Sequence, residues 1–134
     1  MMHLIDTNVA IYLRDLDDEI LDRVRSLPTM PKMSLLSWVE LESGVAAQPE
    51  LADQRRIRLD RLLARFTIID LDPPIVDAYR TIIAATGFSR RRIIDRLIAA
   101  TAIVHGLTLI TINGSDFAGI PNLKLEIWPA PSAQ

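Results

Sequence analysis

Apolar positions along the chain alternate between two periods. Short apolar runs at residues 2–5, Met33–Leu36, Phe66–Leu71 and Leu107–Ile112 have the length and β-branched content of buried strands. A fifth run differs in kind: Leu123, Leu125 and Ile127 alternate with Lys124 and Glu126, the pattern of a half-exposed strand. Between the runs the spacing turns helical. Thr7–Leu13 reads as a first helix with Thr7 in a capping position, and Ile20, Leu21, Val24 and Leu27 mark a second. Asp15, Asp17, Asp18 and Glu19 lead into that second helix, where the helix dipole favours negative charge.

Pro28 and Pro31 interrupt the pattern before the second strand, and a helix is expected over Ser37–Ala47. A longer one over Glu50–Arg65 places Leu59, Leu62, Leu63 and Phe66 on one face, with Arg58, Arg61 and Arg65 on another beside Arg55. Asp72 followed by Pro73 reads as an N-cap with proline in the first turn, opening a helix to Ala85. Gly87 closes it, and Ser89 is expected to cap the next helix, which runs to His105 and stops at Gly106. Strands alternating with helices predict one α/β domain around a mainly parallel central sheet of four to five strands. It occupies residues 1–128, with 129–134 as a flexible tail. Ligand sites in such sheets gather beyond the carboxyl ends of the strands. Asp6 directly follows strand one and Asp116 shortly follows strand four, so both are expected at one edge.

Composition narrows the chemistry. Across 134 residues, 49% are hydrophobic and 24% charged, an ordinary globular balance. Cysteine is absent, which removes disulfides and thiolate metal sites and fits a cytoplasmic protein. The opening apolar run is broken at Asp6, too soon for a signal peptide or a membrane span. The net charge of −2 gives no overall pull toward nucleic acid. The cations are nevertheless skewed: Lys32 and Lys124 are the only lysines among 15 basic residues, and arginine suits bidentate phosphate contacts.

Four acids carry candidate chemistry, and each has a plainer rival explanation. Asp6 ends a buried strand, where an unpaired charge is costly, yet it is also placed to cap the following helix. Glu40 fits a capping box with Ser37; Gly44, one turn on, would let another group approach the same helix face. Glu42 lies about 200° around the helix from Glu40, so the two cannot easily share a site. Asp95 stands in a helix apolar on nearly every face and needs a partner, either a metal or an arginine such as Arg96. Asp116 and Asn113 sit in a turn that uses such residues for local backbone bonds. Four converging acids would repel one another unless neutralised, and an all-oxygen ligand set points to Mg²⁺, with Mn²⁺ as the alternative. Neither a Ser–His–Asp set nor a phosphate-binding Gly-rich loop competes; His3 starts a strand, and His105 ends a helix.

Four segments together carry a resemblance: Ile5-Asp6-Thr7-Asn8, Glu40-Leu41-Glu42-Ser43-Gly44, Asp95 through Ala102, and Leu109 through Phe117, with Trp128 after the last strand. In this order and spacing the chain resembles the PIN-domain ribonucleases, specifically the VapC toxins of bacterial toxin–antitoxin pairs, over nearly its full length. The resemblance implies a three-layer α/β/α fold and a metal-dependent endoribonuclease with Asp6, Glu40, Asp95 and Asp116 as the acidic set. It also implies supporting roles for Thr7, Asn8, Thr111 and Asn113, an RNA substrate, a cognate antitoxin and a homodimer. Arg90-Arg91-Arg92, just before Asp95, is less uniform in such proteins; beyond a solvated helix start, it is a candidate phosphate clamp. A PIN-like module that binds RNA or protein without cutting is the competing function, and a phosphoryl-transfer or phospho-acceptor domain ranks below it.

Overall fold

The structure, a computed structural model, describes residues 1–132. Five short parallel strands form its centre: β1 (His3–Ile5), β2 (Lys32–Ser34), β3 (Ile68–Ile69), β4 (Thr108–Thr111) and β5 (Leu125–Ile127). Their order is β3-β2-β1-β4-β5, and every pairing is parallel. From β1 the chain winds outward through β2 to β3, then returns to lay β4 on the other side of β1. The direction of winding therefore reverses between β1 and β4, the place where parallel sheets open a crevice.

Six α-helices cover the sheet: α1 (Thr7–Arg14), α2 (Asp18–Arg25), α3 (Leu35–Ala47), α4 (Ala52–Leu63), α5 (Pro73–Thr86) and α6 (Ile93–His105). Neighbouring strand residues feed opposite cores, as a period of two requires. Ile5 and Ile110 pack with Val9, Leu13, Ile20 and Leu59 of α1, α2 and α4. Leu4 and Leu109 pack with Ile75, Ile82 and Ile98 of α5 and α6. The result is the α/β/α sandwich expected. No helix among the described residues is long and apolar enough to cross a membrane.

Several boundaries differ from the pattern for local chemical reasons. Asp6, not Thr7, caps α1: its carboxylate accepts the Val9 N–H at 3.0 Å. Ser34 ends β2 by capping α3 through the Leu36 N–H, so α3 begins at Leu35 rather than Ser37. A 3₁₀ turn over Pro49–Leu51 precedes α4. The third strand contracts from Phe66–Leu71 to two residues, as befits a sheet edge. Asp72 caps α5 as expected, accepting the Ile75 N–H. Ser89 makes no side-chain cap; a 3₁₀ turn over Arg90–Arg92 intervenes before α6. Beyond β5, Trp128 is buried and its N–H donates to the Thr111 carbonyl at 2.8 Å. Of the tail, Ser132 donates its N–H to Glu19, and residues 133–134 lie outside the described residues.

Candidate active site

Asp6 lies at the reversal of winding and is 3% exposed. Its two oxygens have separate tasks. Oδ1 accepts the Val9 N–H that opens α1, and Oδ2 accepts the Thr111 hydroxyl at 2.5 Å from the end of β4. Thr111 Oγ1 is itself fixed by the Asn113 N–H at 3.0 Å. Burial nevertheless pushes the Asp6 carboxyl above the ordinary aspartate range; the Thr111 hydroxyl and the Val9 and Asn8 amides oppose that shift, and the charge on Asp116 adds to it. The plain and the functional readings of Asp6 thus coexist: one oxygen caps a helix while the carboxylate stays buried beside another acid.

Thr7 carries the site to α3. Its hydroxyl donates to Glu40 Oε1 at 2.6 Å and shares a 3.0 Å bond with the Ser37 hydroxyl. Because α3 starts at Leu35, ahead of the supposed cap, Glu40 lies in the helix body and is no part of a capping box. Glu42 points elsewhere, as the helix geometry requires. Its carboxylate takes Arg56 at 2.6 Å and the Trp38 indole N–H at 2.9 Å, and the Arg56 bonds hold it below the ordinary glutamate range. Gly44 admits the buried Arg14 guanidinium: a Cβ there would stand 3.2 Å from Arg14 Nη1.

Asp95 sits in the first turn of α6 and has no salt bridge among the described residues. Arg96, the plainer candidate partner, turns the other way, buried, and donates to the Gly87 carbonyl at 2.6 Å. Asp95 is pushed up to about 6, first by burial and then by the negative charges of Asp116, Glu40 and Asp6. The other three acids thus all act on Asp95, and Asp116 acts on Asp6 as well. Asp116 lies in a 3₁₀ turn over Gly114–Phe117. Arg92 donates to its main-chain carbonyl at 3.0 Å and to Oδ1 at 3.3 Å.

The three arginines before α6 do not all face the same way. A 3₁₀ turn advances about 120° per residue, so Arg92 alone faces Asp116 while Arg90 and Arg91 point to solvent. The sequence pattern did not reveal the Arg92–Asp116 pair, and it gave Ser37 a capping role, whereas its hydroxyl bonds Thr7. Among the described residues no three His, Asp or Glu side chains are drawn together closely enough to hold a metal ion. The donor set itself, oxygen only and negatively charged, fits a hard divalent cation.

Thr111 supports a direct test of this geometry. Thr111→Val removes the donor to Asp6 and the acceptor of the Asn113 N–H while keeping the β-branched shape. We expect a loss of about 1–3 kcal/mol in urea unfolding and, from misplacing Asp6, a loss of cleavage of about 10- to 100-fold.

The PIN domain family profile matches residues 3–123. Ribonuclease VapC2 of Rickettsia felis is 31% identical across 96% of this chain and 98% of its own. Ribonuclease VapC4 of Mycobacterium tuberculosis is 31% identical over 69% of this chain and 73% of its own. Among solved structures, VapBC2 from Rickettsia felis, bound to a DNA fragment from its promoter, superposes with a TM-score of 0.82 at 30% identity, covering 96% of this chain and 99% of that one. With the winding reversal, the buried Asp6 and the acids gathered around Asp95, these likenesses place the chain in the PIN-domain family, among its VapC ribonucleases.

Proposed function

We propose that Asp6, Glu40, Asp95 and Asp116 together hold a divalent cation, Mg²⁺ or Mn²⁺, and that the protein cuts RNA internally there as the toxin of a toxin–antitoxin pair. The observation that carries this reading is Asp95, held near 6 by burial and three neighbouring acids without a salt bridge of its own. Such a cluster is costly unless a cation offsets it. A bound divalent cation supplies an acidified water and positive charge against the phosphodiester.

The protein residues then divide the remaining work. Thr111 and the amides at the start of α1 keep the Asp6 carboxylate in one orientation despite its burial. The Thr7 hydroxyl, itself bonded to Ser37, ties the exposed Glu40 carboxylate to the start of α1. Arg92 offsets part of the charge on Asp116 and pins its backbone. A labelled RNA incubated with purified protein tests the proposal: cleavage should appear with Mg²⁺ or Mn²⁺ and vanish with a chelator. Cleavage at full rate under chelation would remove the metal from the account.

The partner follows from the solved relatives, several of which are toxin–antitoxin assemblies. A groove of about 560 Å³ between α2 and α4 suits an amphipathic helix of an acidic antitoxin segment. Leu16, Leu21, Met30 and Ile57 line it, rimmed by Arg25, Arg58, Arg61 and Arg65. Leu21→Glu with Ile57→Glu should weaken antitoxin binding at least about 100-fold, because two desolvated carboxylates would face an apolar surface. Nuclease activity of the free toxin should persist; undiminished antitoxin affinity would move the partner off this groove.

A further inference from the structure

Phe88 is 68% exposed, more than any other aromatic residue among those described. An isolated exposed apolar side chain is ordinary. This one is unusual in how firmly its backbone is held and in what surrounds it. The preceding Gly87 adopts a φ of +83°, closes α5 by donating its N–H to Ile83 at 2.8 Å, and gives its carbonyl to buried Arg96. One residue beyond Phe88, the Ser89 carbonyl accepts the Arg92 N–H at 3.2 Å. Arg96 directly follows Asp95 in α6, and Arg92 grips Asp116. The segment carrying Phe88 is therefore tied at one end to α6 through Arg96, on the side turned away from Asp95, and runs at the other into the turn whose Arg92 reaches Asp116.

Next to Phe88, Arg90 and Arg91 are exposed and make no salt bridge among the described residues. Phe88 and Arg92 are so close in the chain that their Cα atoms lie within about 14 Å of each other even if it were fully extended. An exposed aromatic ring and two guanidiniums without ion pairs thus lie within a few residues of Arg92, which reaches Asp116 of the negative site. The acids alone would repel a polyanion; cations at the rim are what draw it in.

We propose that Phe88, Arg90 and Arg91 form a platform for single-stranded RNA, in which an unpaired base stacks on the Phe88 ring and the two arginines hold flanking phosphates. This inference rests on the ribonuclease reading and adds to it the residues that would seat the strand; a base stacks on the ring only where it is unpaired. Double-stranded RNA, with its bases already stacked on one another, has no face to offer Phe88. The platform positions the strand and has no part in bond cleavage.

Binding of a fluorescently labelled, unstructured RNA oligonucleotide, followed by anisotropy in Mg²⁺ on an Asp6→Asn background that prevents cutting, tests the platform. Phe88→Ala should weaken binding by about 10-fold or more, and Phe88→Trp should restore it, as stacking predicts. Arg90→Ala with Arg91→Ala should lower the slope of log Kd against log salt by about 1.4, at roughly 0.7 per phosphate contact on a single strand. In the otherwise unaltered enzyme, Phe88→Ala should raise KM for the oligonucleotide and leave kcat within about threefold. Unchanged affinity in Phe88→Ala, while Asp6→Asn still abolishes cleavage, overturns the platform and leaves the nuclease reading standing. A variant that changes oligomeric state in sedimentation, with RNA affinity intact, reassigns Phe88 to a contact between copies and overturns the platform equally.

Discussion

Asp6→Asn is expected to lower RNA cleavage by at least about 100-fold while leaving the fold intact. The size follows from position: loss of a residue that only supports a metal ligand costs about 10- to 100-fold, and Asp6 is placed to be a ligand itself. The preserved fold follows from the structure. Asparagine caps helices as well as aspartate does, so the Val9 N–H keeps an acceptor, and the side-chain amide can still meet Thr111. Burial already disfavours the Asp6 charge, so a neutral isostere should hold or slightly raise thermal stability. Cleavage rates and melting curves on one preparation check both halves. A fully active Asp6→Asn protein would dismantle the site.

The second large effect concerns Asp95 in metal-free protein. Its carboxyl is raised from 3.8 to about 6, so between those values the folded state binds more protons than the unfolded chain. Stability from this group is complete below about pH 4 and is lost as pH rises through about 6. At pH 7.5 the lost contribution approaches an upper bound of about 3 kcal/mol, since each tenfold change in acid dissociation is worth about 1.4 kcal/mol. Partial solvent access reduces it to about 1–2 kcal/mol. Asp95→Asn removes the repelled charge and should raise the metal-free melting temperature at pH 7.5 by about 3–6 °C. At pH 5 the gain should shrink, because the wild-type group is then largely protonated. The same variant should be inactive and should gain little from added Mg²⁺, whereas the wild type should be stabilised by it at pH 7.5. A variant that is less stable than wild type without metal would show Asp95 to be a structural ion pair instead.

How far the site was legible in the sequence depends on which physical rule governed each residue. Asp6 was placed correctly because strand ends and winding order alone determine where it lies. Glu40 was divided between two readings, and the choice turned on the first residue of α3. Ser34 and Ser37 both precede plausible helix starts, and only the Leu36 N–H, bonded to Ser34, decides between them. For Asp95 the sequence left a metal and a neighbouring arginine open, and helix geometry removes the arginine. Arg96 is adjacent in sequence, but one residue along an α-helix is about 100° of rotation, which carries its guanidinium to the Gly87 carbonyl. Arg92 reaches Asp116 because a 3₁₀ turn, not the expected Ser89 cap, precedes α6. The alternation of apolar runs was enough for the α/β/α layers, since it reports which face is buried. It was insufficient for edge-strand lengths, because β3 lacks a second neighbour to fix its ends.

Calorimetric titration of Mg²⁺ or Mn²⁺ into the protein at pH 7.5 tests the four carboxylates most directly. The wild type should bind with a saturable isotherm; repeated at about pH 5, where Asp95 is largely protonated, binding should also release protons, since that carboxyl must ionise to take the cation. Asp6→Asn and Asp95→Asn should each weaken that binding by at least about 10-fold. Isotherms that are flat for the wild type, or identical for the wild type and both variants, would contradict the account.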